Sequence, residues 1–340
     1  MTARCIYCRN ELTGVSGDQS RQPSLEHIVP LALGGSAKFT TMDVSAKYNH
    51  DLGTSIDAPF MNQLPIAMLR HQLGLAGNSG KIPPIVLNAR SLDNNEPARI
   101  SISPDGSIDY QFETMVIDDQ KTTHTERLVA GSPERVREIL SGMLKKAKSA
   151  QKSIYSLQGN QVTSLDNILG QATVEETTTF KASVVAMDGT TWVRGLFKMI
   201  LGLGHVVLGP DWTFSADGGD RLRTVLFCEP EQWPNHALKG FSAGAIPADV
   251  ARMLGITNDL RREKWHTLAI IPRGKDCEYV AVVSLFGGDL PDSLVTLGSE
   301  RGWLTTVNET MRPDARIGVR IDPVTREVVW ITVKEALDSA

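Results

Sequence analysis

Cysteine is scarce in this chain, and strong charge and long apolar runs are absent. Only four cysteines occur in 340 residues, Cys5, Cys8, Cys228 and Cys277. A disulfide framework is not expected from so few in a chain of this size. The formal net charge is only −4. That counts mildly against a protein that coats nucleic acid over its whole surface, and leaves room for a local basic face, because net charge averages over regions that never meet a ligand. Apolar runs such as Phe197-Lys-Met-Ile-Leu-Gly-Leu-Gly204 are short and interrupted. A membrane span needs roughly 20 continuous apolar residues, so no membrane association is expected. The chain opens Met1-Thr-Ala-Arg-Cys5 without the apolar core of a secretory signal, and a cytoplasmic location is the expectation. No internal repeat is visible.

The composition is otherwise ordinary, with 41% hydrophobic and 22% charged residues. The length accommodates two domains at the usual ~100–200 residues each. Composition and periodicity shift along the chain and suggest three regions: 1–75, dense in Cys, His and Gly; 76–175; and 176–340, a larger mixed α+β domain.

In the first region a short helix is expected over 44–57 and a second over Pro59 to Leu75. In the second, Ala98–Ser103 and Ser107–Phe112 alternate apolar and polar around Pro104-Asp-Gly106, which is a β-hairpin pattern. Ser132-Pro-Glu-Arg should open a helix running to about residue 152. Residues 155–178 are rich in Ser, Thr, Asn and Gln and suggest a linker. Beyond 180, helices are expected at 191–203 and 217–227, with strands at 266–272, 278–286, 317–321 and 327–333. The last two flank a turn at Asp322-Pro-Val-Thr-Arg326.

The chemistry concentrates near the start. Cys5 and Cys8 form a C-x-x-C knuckle, a spacing that usually marks a metal or a redox pair. Glu26-His27-Ile-Val-Pro-Leu-Ala-Leu-Gly-Gly35 follows. Adjacent residues on a strand point to opposite faces, so one of Glu26 and His27 can hold a metal while the other faces water. Asn49 then offers an oxygen on a helix. A carboxylate and an amide oxygen form a hard, incomplete shell that suits Mg²⁺ or Mn²⁺. No thioredoxin-like context surrounds Cys5, which argues against a redox site.

These strings resemble the HNH endonuclease family, which has the ββα-metal fold. The branch concerned carries C-x-x-C, then E-H-I-[IV]-P with L-G-G, then V-C-x-x-C-N, a trailing Gly and I-D. Cys5 to Cys8 and Glu26 to Gly35 match. Val44-Ser-Ala-Lys-Tyr-Asn49 matches with Ser45 and Tyr48 in place of both cysteines, and Leu52-Gly53 and Ile56-Asp57 complete the pattern. The resemblance covers residues 5–57. It implies an N-terminal HNH module followed by the α+β domain, with DNA as substrate.

By the same resemblance His27 is the general base, Glu26 and Asn49 are the metal ligands, and Asp43 orients the base. His50 is a one-residue-shifted alternative to Asn49. In relatives with two knuckles a Cys₄ zinc clamps the fold. Here Cys5 and Cys8 alone remain as thiols, so zinc is either absent or completed by another group such as His50. Without it, packing must hold the module, with Tyr48 in the vacated space and the 59–75 helix as cover. A catalytically inactive nucleic-acid or protein-binding module is the alternative function.

A looser likeness continues at Arg194-Gly-Leu-Phe-Lys198 and Leu285-Phe-Gly-Gly288, for which the residues themselves suggest no role. His71, His124, His205, His236 and His266 lack partner motifs and are expected in core or surface positions. Gly202-Leu-Gly204 lacks the strand–turn–helix context of a nucleotide loop.

Overall fold

The computed structural model describes residues 3–14, 17–92, 97–112, 116–119, 123–126, 133–149, 154–155, 161–162, 166, 180–182, 187–234, 236–238, 240–273, 278–298 and 312–339. The chain belongs to the α+β class. It divides into one unit made of residues 1–82 and 186–340, and a second made of residues 83–185. The expected separation of 1–75 from 176–340 is thereby corrected, because these two stretches share one core.

The physical reason is the helix Gly189–Thr213. Asp188 caps its start, accepting the Thr191 N–H at 2.6 Å. Leu196, Phe197, Ile200 and Leu201 are buried in the same cluster as Ile6, Ile28, Leu52, Ile56 and Phe60 from the N-terminal stretch. Phe60 stacks on Trp192 with ring centroids 5.2 Å apart. The close approach needs Gly195, where a Cβ would overlap the Phe60 ring. The N-terminal stretch has too few residues to enclose an apolar core alone, and this helix supplies the missing wall. Its length and apolar composition would suffice to cross a membrane, but 72% of the relevant window is buried inside the protein. The apolar character is that of a core helix. It breaks at Gly209–Pro210, where Gly209 adopts φ 84°.

Behind this helix lies a six-stranded antiparallel sheet in the order Ser242–Gly244, Asp292–Gly298, Glu278–Ser284, His266–Arg273, Arg316–Ile321, Val328–Thr332. Its inner strands are covered on both faces, whereas the edge strand Ser242–Gly244 is exposed. Leu268 and Ile270 join the core with the long helix, while Ala269 and Ile271 join a second cluster that includes Leu254, Val333 and Ala336. Two-sided burial explains why these strands read as continuous apolar runs. The expected strands and the turn at 322–326 are present. Asp292–Gly298 and Ile85–Ser91 were not anticipated.

In the N-terminal stretch, strands Glu26–His27 and Thr40–Thr41 pair in antiparallel register, Glu26 opposite Thr41 and His27 opposite Thr40. The helix Ala46–Leu52 follows, capped by Ser45, and continues through a wider turn at Gly53–Asp57 into Ala58–Met61. Leu64–Leu73 forms the next helix, shorter than expected. The Gly34-Gly35 pair is required sterically. Gly34 adopts φ 86° with no room for a Cβ against the Pro323 backbone, and a Cβ on Gly35 would overlap the Val29 carbonyl oxygen.

The second unit contains an antiparallel sheet in the order Phe180–Ala182, Ile85–Ser91, Pro97–Ile102, Ile108–Phe112. Its hairpin pairs Ile102 with Ile108 around the expected turn. The helix Pro133–Ser149 also matches expectation. Most of the 155–178 stretch lies outside the described residues.

Candidate functional site

A cavity of about 520 Å³ opens between the short hairpin and the helix that follows it. Glu26, His27, Asn49, His50 and Asp57 all line it, as do Gly77 and Asn78. The wall therefore includes three of the expected site residues, the alternative His50, and one carboxylate, Asp57, to which the sequence pointed only as the end of a motif.

Asn49 is held by two hydrogen bonds from its Nδ2, to Ser24 Oγ at 2.9 Å and to the Leu25 carbonyl oxygen at 2.8 Å. A carbonyl only accepts, so this contact fixes which end of the amide is nitrogen. The carbonyl oxygen Oδ1 is left available to a cation. His50 also reaches the cavity, but its side chain is exposed. His27 is partly buried. Its pKa is lowered by burial first, then by the positive charges of Arg326 and Lys198. The imidazole is thus held neutral near neutral pH, the state a proton acceptor needs.

Glu26 is buried, with two partners on one oxygen. Tyr7 OH donates to Oε1 at 3.2 Å, and Lys198 Nζ lies 2.6 Å from the same atom. Burial raises the Glu26 pKa and Lys198 opposes that rise. Lys198 also lies 2.6 Å from Asp57 Oδ2 and is only 2% exposed. Burial disfavours its charge, but Asp57 and Glu26 outweigh that and hold its pKa above the ordinary value. The ammonium therefore stays charged between two carboxylates. Lys198 is a site residue that local patterns did not reveal. The available signal was a lone charge between Phe197 and Met199 in an apolar helical stretch.

Asp43 is placed differently from expectation. Its carboxylate bonds to His205 Nε2 at 2.9 Å, and His205 Nδ1 lies 3.0 Å from Thr213 Oγ1. The Thr41 hydroxyl accepts the Asp43 N–H, which turns the chain beyond the second strand and away from the cavity. Asp43 does not line the cavity. Its side chain faces the long helix and does not orient His27.

The knuckle lies apart from the cavity. Cys5, Cys8 and Cys228 carry free thiols. Ser45 donates its N–H to Cys5 Sγ at 3.3 Å, and its hydroxyl accepts the Tyr48 N–H as a helix cap. Tyr48 packs edge-on against Phe227, ring centroids 5.8 Å apart. The helix Arg221–Phe227 thus covers Tyr48, while Phe60, Ile66 and Leu69 of the expected 59–75 stretch pack in the same core as Cys5. Two thiols, a capping hydroxyl and a packed phenol do not form a tetrahedral zinc donor set. Burial raises the Cys8 pKa, which further disfavours the thiolate that zinc requires. Arg223 fastens this corner. Its Nε donates to the Ile6 carbonyl at 2.6 Å and its NH2 to the Thr213 carbonyl at 2.6 Å, and it also pairs with Asp220.

Among the described residues, no three His, Cys, Asp or Glu side chains form a ready metal cage. One carboxylate and one amide oxygen on a shared cavity wall fit instead a hard cation that keeps most of its positions for water and phosphate. Comparison with protein-family models, with curated proteins and with solved structures yields no match for this chain.

Proposed function

We propose that this chain is a divalent-metal-dependent endonuclease of the HNH type that hydrolyses DNA phosphodiester bonds. The observation that carries the reading is the convergence of His27, Glu26 and Asn49 on one cavity, built from an antiparallel hairpin and the helix that follows it. Strand, strand and helix occur in the order a ββα-metal module requires.

His27 is the general base. Its neutral imidazole accepts the proton of the attacking water. Glu26 and Asn49 would hold Mg²⁺ or Mn²⁺, the carboxylate and the amide oxygen being the hard donors that such a cation takes. When bound, the cation stabilises the charge that builds on the phosphate and assists the leaving oxygen. Tyr7 orients Glu26 by donating to Oε1. Asp57 belongs to the site's electrostatics through Lys198.

A second reading is favoured by one observation. Lys198 already balances the charge of Glu26, as it would in a nucleic-acid- or protein-binding module with no catalytic role. Supercoiled plasmid incubated with the full chain in Mg²⁺, Mn²⁺ or EDTA separates the two. Metal-dependent nicking that falls by roughly 10²–10⁴-fold in His27→Ala is expected for a general base. Plasmid binding without cutting, equal in both proteins, would favour the binding module.

A further inference from the structure

Two carboxylates of the cavity wall share a partner that the nuclease reading does not require. Lys198 is buried on a helix whose neighbouring side chains, Leu196, Phe197, Met199 and Ile200, are at most 1% exposed. Burying an ammonium costs several kcal/mol, and a methionine would avoid that cost only by leaving Glu26 and Asp57 without their counter-charge. Charge pairing is therefore one reason for an ammonium behind this wall. Its geometry suggests another reason. Nζ touches Glu26 Oε1 and Asp57 Oδ2 at 2.6 Å each, and both carboxylates line the cavity. Two carboxylates joined through a cation are two hard donors that a divalent metal could bind together. Neither the Tyr7 nor the Lys198 contact involves Glu26 Oε2.

We propose that Lys198 is a positioning residue that keeps Asp57 out of the metal's coordination shell, so that a divalent cation meets one protein carboxylate, Glu26, and no second. The inference rests on the nuclease reading and names the residue that tunes its metal site. Calcium- and magnesium-type sites gain affinity with each added ligand charge, and a hydrolytic site needs open positions for water and phosphate. By holding Asp57 on its ammonium, Lys198 trades affinity for open coordination. It also makes the N-terminal centre dependent on a helix residue 141 positions beyond Asp57 in the sequence.

The test is Mn²⁺ binding to the full chain, followed by calorimetry and by the Mn²⁺ electron paramagnetic resonance signal, alongside thermal melting with and without Mn²⁺. Lys198→Met frees Asp57 to join Glu26, and should bind Mn²⁺ about tenfold more tightly than wild type, with a larger metal-induced rise in Tm. Adding Asp57→Asn should return the affinity to the wild-type level. Folded Lys198→Met that binds no tighter than wild type overturns the proposal, as does a double variant that keeps the gain. Should Lys198→Met fail to fold, Asp57→Asn alone decides. With Lys198 in place it should leave Mn²⁺ affinity unchanged, whereas a tenfold loss makes Asp57 a ligand and overturns the proposal. Glu26→Gln tests the reading beneath. It should abolish Mn²⁺ binding; unchanged binding removes the nuclease reading, and with it the role of Lys198.

Discussion

His266 Nε2 lies 2.7 Å from the carbonyl oxygen of Leu33, which joins the central sheet to the turn that leads out of the Glu26–His27 strand. The Phe286 N–H donates to the other ring nitrogen at 3.0 Å. A carbonyl accepts and an N–H donates, so the ring is neutral and carries its proton on Nε2. Burial lowers its pKa to about 4, although the Leu33 bond and Asp322 favour the charged form.

Acid should therefore weaken this fold through His266. Between pH 6.5 and 4 the unfolded chain binds a proton that the folded chain does not, so stability falls as pH falls. The lost contribution approaches roughly 3 kcal/mol once the pH is below the folded pKa. Urea midpoints measured from pH 7 to pH 4 should decline in wild type, and decline less in His266→Gln, which keeps a donor for Leu33 and does not titrate. Parallel pH profiles for the two proteins would sink the assignment.

The knuckle corner should be independent of metal. Arg223 joins the carbonyls of Ile6 and Thr213 and the carboxylate of Asp220, fastening the Cys5–Cys8 turn to the C-terminal stretch. A zinc-selective chelator, added with Mg²⁺ in excess, is expected to leave Tm unchanged. Arg223→Met strands buried acceptors and should cost roughly 2–4 kcal/mol by urea denaturation. A chelator-induced drop in Tm would show that a metal holds the corner.

Gly35→Ala should be among the most damaging small substitutions in the chain. The added methyl overlaps the Val29 carbonyl oxygen, which is backbone and cannot swing aside. Overpacking of this kind costs about 3 kcal/mol. Gly53→Ala, which meets open space, is the control and should be neutral or slightly stabilising in the same denaturation experiment.

Arg326 offers a test of the substrate class. It is exposed, adopts φ 61° in the 322–326 turn, and donates to the Ala76 carbonyl beside the cavity residue Gly77. Its charge is felt at His27. Among the described residues it has no carboxylate partner within ion-pair distance, which leaves its charge available to a phosphate. Arg326→Ala should weaken DNA binding in EDTA across all sequences and reduce the salt slope by about 1. Anisotropy titrations at several salt concentrations measure both. An unchanged slope would leave Arg326 as a turn residue only.

Sequence alone determined what depends on neighbours along the chain. The hairpin around Pro104–Gly106, the helix beginning at Pro133, the sheet strands from 266 onward and the Glu26-His27…Asn49 string are all local patterns of turn chemistry, capping and side-chain periodicity. The need for glycine at Gly35 is likewise set within a short span, by the Val29 carbonyl. The tertiary structure decided the rest. Asp43 meets His205 across 162 residues and Arg223 meets Ile6 across 217. Lys198 reaches Glu26 only because an apolar helix from the C-terminal stretch fills the core that the first 75 residues cannot close. Buried apolar area is non-directional and selects no partner by sequence distance. Which charge, carbonyl or ring faces the site is therefore settled by how the helix packs, and no pattern along the chain encodes that pairing.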